Sequence, residues 1–418
     1  MSAKHDEQAT KWGFLSTGFE LSVAVSKLCG GLLLGRIAPA KLVGRILFSV
    51  AVCNTGLFAL QAASAAVAFY PSLILWAFHG LAQGLGWGAL VGAFVAAFPN
   101  PAERGSRYAI LSGSQNVGAA SVALFLLPLS KSMLLAGDTA SLKHGQWRAL
   151  QISLLLPAAL CAVGAVLLPK VITAAAPSAA IAPNSTSSQQ VSGQGVHPPS
   201  TNWTTPLLLT IQDPRQVCIA ASYFCLSTVR NAVAMWALQF VPIISGSTLN
   251  AQTIGLALAA MEGGGFLGGV IAGAVSDVVF TGRRGPVMVL SCALSAAVLV
   301  CLTALPAAAA GFEGGQLLSA QFVLIGGGSF AAHVLAGLLA REIAPPSSRE
   351  VAGGMVKAVA QLGSAVGAAP FAALAGSVGW RVAVLVLAGL MGAASLFALP
   401  LWNVRPAAEG GAGQDKQK

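Results

Sequence analysis

The sequence predicts an all-α fold, a polytopic bundle of membrane-spanning helices, on three observations. Apolar residues make up 56% of the 418-residue chain and charged residues only 9%, where a soluble domain is about 25% charged. The mean hydropathy is +0.76. The apolar residues also fall into long continuous runs. A helix needs roughly 20 such residues to cross the hydrocarbon core, and lipid forces each segment to satisfy its own backbone, as a helix does and an unclosed strand does not.

Eleven spans are expected, in the order 13–34, 43–67, 72–98, 107–130, 149–168, 208–243, 252–275, 286–307, 316–340, 350–377 and 380–402. Between the fifth and the sixth lies 170–205, rich in Ser, Pro, Gln and Gly, which reads as a disordered linker. The chain thus divides into an N-terminal bundle (1–169), the linker (170–205), a C-terminal six-helix bundle (206–403) and a tail (404–418). With the linker in the cytosol, the inner side collects Arg36, Lys41, Arg45, Arg104, Arg107, Lys170, Arg215, Arg283, Arg284, Arg341, Arg349, Arg405, Lys416 and Lys418. The opposite side receives Lys131, Lys143, Arg148 and Arg381, with Lys4 and Lys11 at the N-terminus. That bias places the linker and C-terminus inside and the N-terminus outside. The sequons at Asn184 and Asn202 then lie in the cytosol and stay unmodified. The first ten residues are polar, and no cleavable signal peptide is expected.

The net charge of +10 is scattered between apolar blocks, so no nucleic-acid partner is expected; basic loops on one membrane face account for it. Cys29, Cys53, Cys161, Cys218, Cys225, Cys292 and Cys301 form no CxxC and no Cys/His cluster, so they read as reduced thiols, with no metal and no cofactor. No G-x-x-x-x-G-K-[ST] motif and no nucleophile–base constellation is present, and the chain is not expected to be an enzyme. Small-xxx-small spacings such as Gly264–Gly268 and Gly269–Gly273 suit close helix approach.

Five ionisable residues stand out inside the expected spans: Glu20, Lys27, Arg230, Glu262 and, nearer a span end, Lys357. Intramembrane charges are costly, face the bundle interior and mark substrate paths. Arg230, within SYFCLSTVRNAVAMW, and Lys27 come from different halves and suit an anion. Arginine offers a planar fork for phosphate or carboxylate, and lysine adds a point charge. An internal pair of Arg230 with Glu262, or snorkelling of Lys357, is the structural alternative. Unpaired cations are costly in a closed, empty state, which points to exchange of one anion for another.

Four stretches resemble the organophosphate:phosphate antiporters of the major facilitator superfamily, most closely the glucose-6-phosphate translocases. They are LWAFHGLAQGLGWG (75–88), YAILSGSQNVGAA (108–120), MEGGGFLGGVIAGAVSDVVFTGRRG (261–285) and AREIAPPSSREVAGG (340–354). The resemblance implies two pseudo-symmetric helical halves and exchange of a sugar phosphate for inorganic phosphate by alternating access. It also implies a monomer in the bilayer and, in a eukaryote, the endoplasmic reticulum membrane. TVRNAVAMW matches the seventh family helix, which puts Arg230 on substrate phosphate with Trp236 nearby. AVSK matches the second helix and puts Lys27 in the same cavity. Glu262 takes the place of a charge-balancing acid of the eighth helix. Gln115 stands where glycerol-3-phosphate transporters carry histidine, and His333 of the tenth helix is a further candidate contact. Asp277, Arg283 and Arg284 match a cytoplasmic gate.

Two departures are expected to matter. Gly35 stands where the N-terminal repeat of the gate motif has aspartate. The match also begins at the second of twelve family helices. A missing upstream exon is the expectation, and a divergent eleven-helix protein the alternative. A sugar-phosphate sensor that moves no substrate, or an inactive truncated transporter, is the alternative to transport.

Overall fold

The computed structural model describes residues 2–33, 39–60, 65–97, 110–122, 124, 151–175, 204–246, 249–304, 312–345 and 348–405. Gly35, Asn184, Asn202, most of the expected linker and the tail after Arg405 lie outside the described residues. The helices are α1 (Ser2–Leu33), α2 (Pro39–Leu60), α3 (Ala65–Ala97), α4 (110–122), and α5 (Leu156–Ala175), which a π turn, Gln151–Leu155, precedes. Then follow α6 (Thr204–Gln212), α7 (Pro214–Ser245), α8 (Ala251–Val278), α9 (Gly285–Thr303), α10 (Phe312–Ile343), α11 (Arg349–Val366), α12 (Ala369–Val378) and α13 (Trp380–Ala398).

Among the described residues, nine segments are long and apolar enough to cross a membrane. Helix α1 is long enough, but Glu20 and Lys27 lower its hydropathy, and the expected span at 107–130 is described only in part. Outer faces are apolar: Leu267, Ile271 and Val278 of α8 are 58%, 59% and 79% exposed, whereas Ala257, Met261 and Ala272 are buried. Lipid accepts that surface; water would not.

The span expected at 208–243 is two helices. Asp213 breaks it: its carboxylate accepts from Arg215 N, and Pro214, which has no N–H to lose, opens α7. The span expected at 350–377 is broken at Gly367–Ala368, with Pro370 in the first turn of α12. Helix α5 runs on to Ala175, past the expected end at 168.

The large core belongs to the helices after residue 203. Trp236, Phe240, Phe322, Leu299 and Met391 are buried there, and Leu42, Val43, Ile46 and Ala89 form a smaller cluster in the first group. Helix α8 packs along α10, α7 against α11 and α13, and α9 against α13. In the first group α1 and α2 both pack on α3, and α2 on α5. The groups meet where α1 lies along α11 and where Gly113 of α4 faces the Phe266 ring of α8. A Cβ at Gly264 or Gly268 would collide with the carbonyls of Val323 and Gly327, so the first glycine pair brings α8 and α10 together. In the second pair Gly269 also faces α10, at the Phe330 ring and Val334, while Gly273 faces open space.

Candidate functional site

A cavity of about 550 Å³ lies between the two groups of helices, within the range that holds a small metabolite. Helical spacing sets its walls. Glu20, Val23 and Lys27 form one stripe of α1, and His79, Gln83, Trp87 and Leu90 one stripe of α3. Gln115 comes from α4, Tyr223 from α7, Phe330, His333 and Gly337 from α10, and Lys357 and Gln361 from α11.

Lys27 and Lys357 thus reach one cavity from opposite groups. Lys27 Nζ donates to Gln361 Oε1, and Gln361 Nε2 donates to Glu20 Oε2. Lysine can only donate, so it fixes the amide with its oxygen toward Lys27 and its NH2 toward the carboxylate. Lys357 Nζ lies 5.3 Å from the centroid of the Trp87 ring, close enough for a cation–π contact. His333 is stacked on Phe330 with centroids 5.5 Å apart and stands edge-on to Tyr223 at 4.7 Å. Its Nδ1 is buried without a hydrogen-bond partner.

Arg230 lies one layer behind, over the Phe330 ring at 4.9 Å. Its Nη2 donates to Asn116 Oδ1 at 2.9 Å and to Glu262 Oε2 at 3.1 Å. This is the internal pair the sequence left open as the alternative, with Asn116 of α4 joining it. The structure therefore brings Lys27, Gln115 and His333 to the cavity wall and keeps Arg230 with Glu262 beside it. It does not bring Trp236 there. Trp236 is 1% exposed, and its Nε1 already donates to Gly367 O at 3.1 Å. Sequence reasoning had left Lys357 open and passed over Gln361, Asn116, Tyr223 and His79. Only Lys357 carries the signal, a charge in an apolar run, that could have found it.

At one end of the second group, α8 closes in a turn with Thr281 and Gly282 at positive φ, 50° and 83°. Arg284 follows. It donates to Asp277 Oδ1, to Ser276 Oγ at 3.0 Å, and through Nη2 and Nε to both oxygens of Glu342 at 3.2 and 3.3 Å. Burial works against its charge, but Glu342 first and then Asp277 outweigh that and hold its pKa above the ordinary arginine value. Arg283 Nη1 reaches Asn403 Oδ1 at 3.4 Å. Asp277 and Arg284 thus meet, with Glu342 tying α8 to α10 within one group of helices, while the Arg283 side chain turns to Phe280 O and Asn403. Arg381 belongs to another end of the bundle, donating to Ile244 O at the close of α7 at 3.4 Å.

The model of the Major Facilitator Superfamily matches residues 218–418. Over nearly the whole chain, two relatives described as membrane sensor protein UhpC are similar. The Escherichia coli protein is 25% identical over 404 residues, 94% of this chain and 84% of that protein. The Salmonella typhimurium protein is 26% identical over 407 residues, 94% of this chain and 83% of its own length. A probable hexose phosphate transport protein of Chlamydia muridarum is 30% identical over 185 residues, 44% of this chain and 39% of that protein. Among solved structures, an Escherichia coli fucose:proton symporter, FucP, superposes with a TM-score of 0.63 at 12% identity, covering 96% of this chain and 93% of that one. A second FucP structure, in an outward conformation, superposes with a TM-score of 0.63 at 11% identity, covering 94% and 90%. The fold is thus the major facilitator type of polytopic membrane helix bundle.

Proposed function

We propose that the chain is a secondary transporter that exchanges a sugar phosphate for inorganic phosphate by alternating access. The observation that carries this reading is the convergence of Lys27 and Lys357, from opposite helix groups, on one cavity. A phosphate monoester has charge enough for both, and a site shared by two groups is rebuilt whenever they rock. Arg230 stands in reserve. Its fork is half occupied by Glu262 and Asn116, and an incoming phosphate would take the place of the carboxylate. Glu262 thus holds the arginine neutralised when the site is empty. The similarity to a hexose phosphate transport protein agrees with the substrate class. Asp277, Arg283 and Arg284 are then residues of a cytoplasmic gate.

Counterflow tests it. Liposomes holding the chain and loaded with phosphate should take up labelled phosphate and glucose 6-phosphate, and empty liposomes should not. Arg230→Lys, which keeps charge but loses the fork, should cut exchange at least about tenfold; undiminished exchange would remove arginine from the substrate site.

A second reading has one observation in its favour: the two relatives that match 94% of the chain are described as sensors. A sensor would bind the sugar phosphate in the same cavity without flux. Saturable binding with no counterflow would select it.

A further inference from the structure

Beside the main cavity lies a second one of about 290 Å³, walled by Trp12, Leu15, Ser16 and Trp76. Glu20 and His79 line both cavities. Glu20 therefore stands at the partition, reached on one face from the anion site and on the other from the half of α1 that carries Trp12. Its side chain is deeply buried, with the residue 9% exposed. Among the described residues the hydrogen bond to its carboxyl comes from a neutral amide, that of Gln361, while Lys27 is held on the far side of that amide. A buried carboxylate whose direct donor is uncharged is easily neutralised by a proton.

We propose that Glu20 is a proton-binding site coupled to the anion: it takes up a proton from water when a phosphate dianion enters. This rests on the anion-binding reading above. The main cavity wall carries Lys27, Lys357 and Glu20 as its charged residues. A dianion would leave the lined cavity with an excess negative charge if Glu20 stayed ionised, and none if Glu20 were protonated. An excess charge in a poorly hydrated cavity is the unfavourable state. Glu20 Oε2 is engaged by Gln361, so the proton goes to Oε1. The groups facing Glu20 are Lys27 on its own helix, His79 on α3 and Lys357 on α11. His333 of α10 and Tyr223 of α7 share the cavity, and Arg230 and Glu262 lie behind Phe330. The competing acceptors are His79, whose Nδ1 is buried without a partner, and Glu262, which gives up Arg230 to the incoming phosphate.

The test is calorimetric. The purified full chain is titrated with inorganic phosphate, and separately with glucose 6-phosphate, between pH 6.5 and 8 in buffers of different ionisation enthalpy. Protons taken up per bound anion are compared for the native chain, Glu20→Gln, Glu20→Asp and His79→Gln. The ligand's own ionisation is common to all four and cancels in the differences. The native chain should take up as much as one proton more than Glu20→Gln. Its affinity should rise, relative to that variant, by up to about tenfold per pH unit lowered. Glu20→Asp should keep the uptake with its pH profile displaced, His79→Gln should keep it undisplaced, and an undisplaced profile in Glu20→Asp would overturn the site should Glu20→Gln fail to fold. Equal proton numbers in the native chain and Glu20→Gln, or uptake lost only in His79→Gln, would overturn the proton site and leave the anion site standing. No binding of either anion to the native chain would overturn the anion reading and the proton site with it.

Discussion

Arg230 Nη2 donates to Glu262 Oε2 at 3.1 Å, and the two side chains are only 20% and 13% exposed. The pair joins α7 to α8, and Asn116 ties the same nitrogen to α4. Breaking a buried pair by removing one partner leaves the other charge uncompensated, whereas removing both does not.

Glu262→Gln should therefore lower unfolding free energy by about 1–3 kcal/mol, less than a fully buried pair because water reaches both groups. Adding Arg230→Gln should recover part of that loss. A double-mutant cycle in thermal unfolding should give a coupling of at least about 1 kcal/mol; additivity would mean the pair does not hold the helices together.

How this site could be read from the sequence follows from rarity. A charge inside an apolar run announces itself, so Lys27, Arg230, Glu262 and Lys357 are legible in the sequence. Neutral polar residues do not. Gln361 and Asn116 matter because helix rotation aims them, and composition carries no rotation. Trp236 shows the same limit from the other side. Six residues along a helix is about 600°, which puts it roughly 120° around from Arg230, facing Gly367 and Trp380 of α13 instead of the cavity. The break at Gly367 is hidden, because hydropathy stays high across it while the backbone hydrogen bonding changes; the break at Asp213 is not, since QDPRQ (212–216) is polar and Asp-Pro is a helix-start signal.

The approach of α8 to α10 depends on a missing side chain. A Cβ at Gly268 would meet the Gly327 carbonyl, and backbone cannot step aside as a side chain can. Gly268→Leu should destabilise by about 1–3 kcal/mol or more. Gly273→Leu, where nothing lies within 4 Å, should be close to neutral. Melting temperatures of the two variants in one detergent provide the comparison.

Asp213 caps α7, accepting from the backbone N of Arg215 at 2.9 Å and from its Nε at 3.1 Å. Partial burial alone would raise its pKa, but the Arg215 hydrogen bonds outweigh it and hold the carboxyl below the ordinary aspartate range. A depressed folded-state value stabilises above the unfolded pKa, and that stability is lost as pH falls through the folded value. Asp213→Ala should cost about 1 kcal/mol at neutral pH. That difference from the native chain should stay constant from pH 8 down to about 5 and shrink only below the ordinary aspartate pKa of about 4.

Thr17 of α1 reaches into the break between α11 and α12. Its Oγ1 accepts from Ala369 N at 3.1 Å and donates to Ala365 O at 3.4 Å. Ala365 and Ala369 are the two residues an unbroken helix would bond directly, so the hydroxyl stands inside the i→i−4 ladder of the other helix group. Inserted groups of this kind bend helices. Thr17→Val keeps the shape but leaves a donor and an acceptor facing a methyl group, which should cost about 1–3 kcal/mol; Thr17→Ser should cost less. Faster amide exchange at Ala369 in Thr17→Val, with Thr17→Ser near native, would identify the hydroxyl as the bridge. Unchanged exchange would mean that the break persists without it. The bridge also crosses between the two helix groups. A transporter must release it whenever those groups rock apart at that end, so Thr17→Val should change exchange rate and stability together, while Gly268→Leu should lower stability by a route that leaves this contact intact.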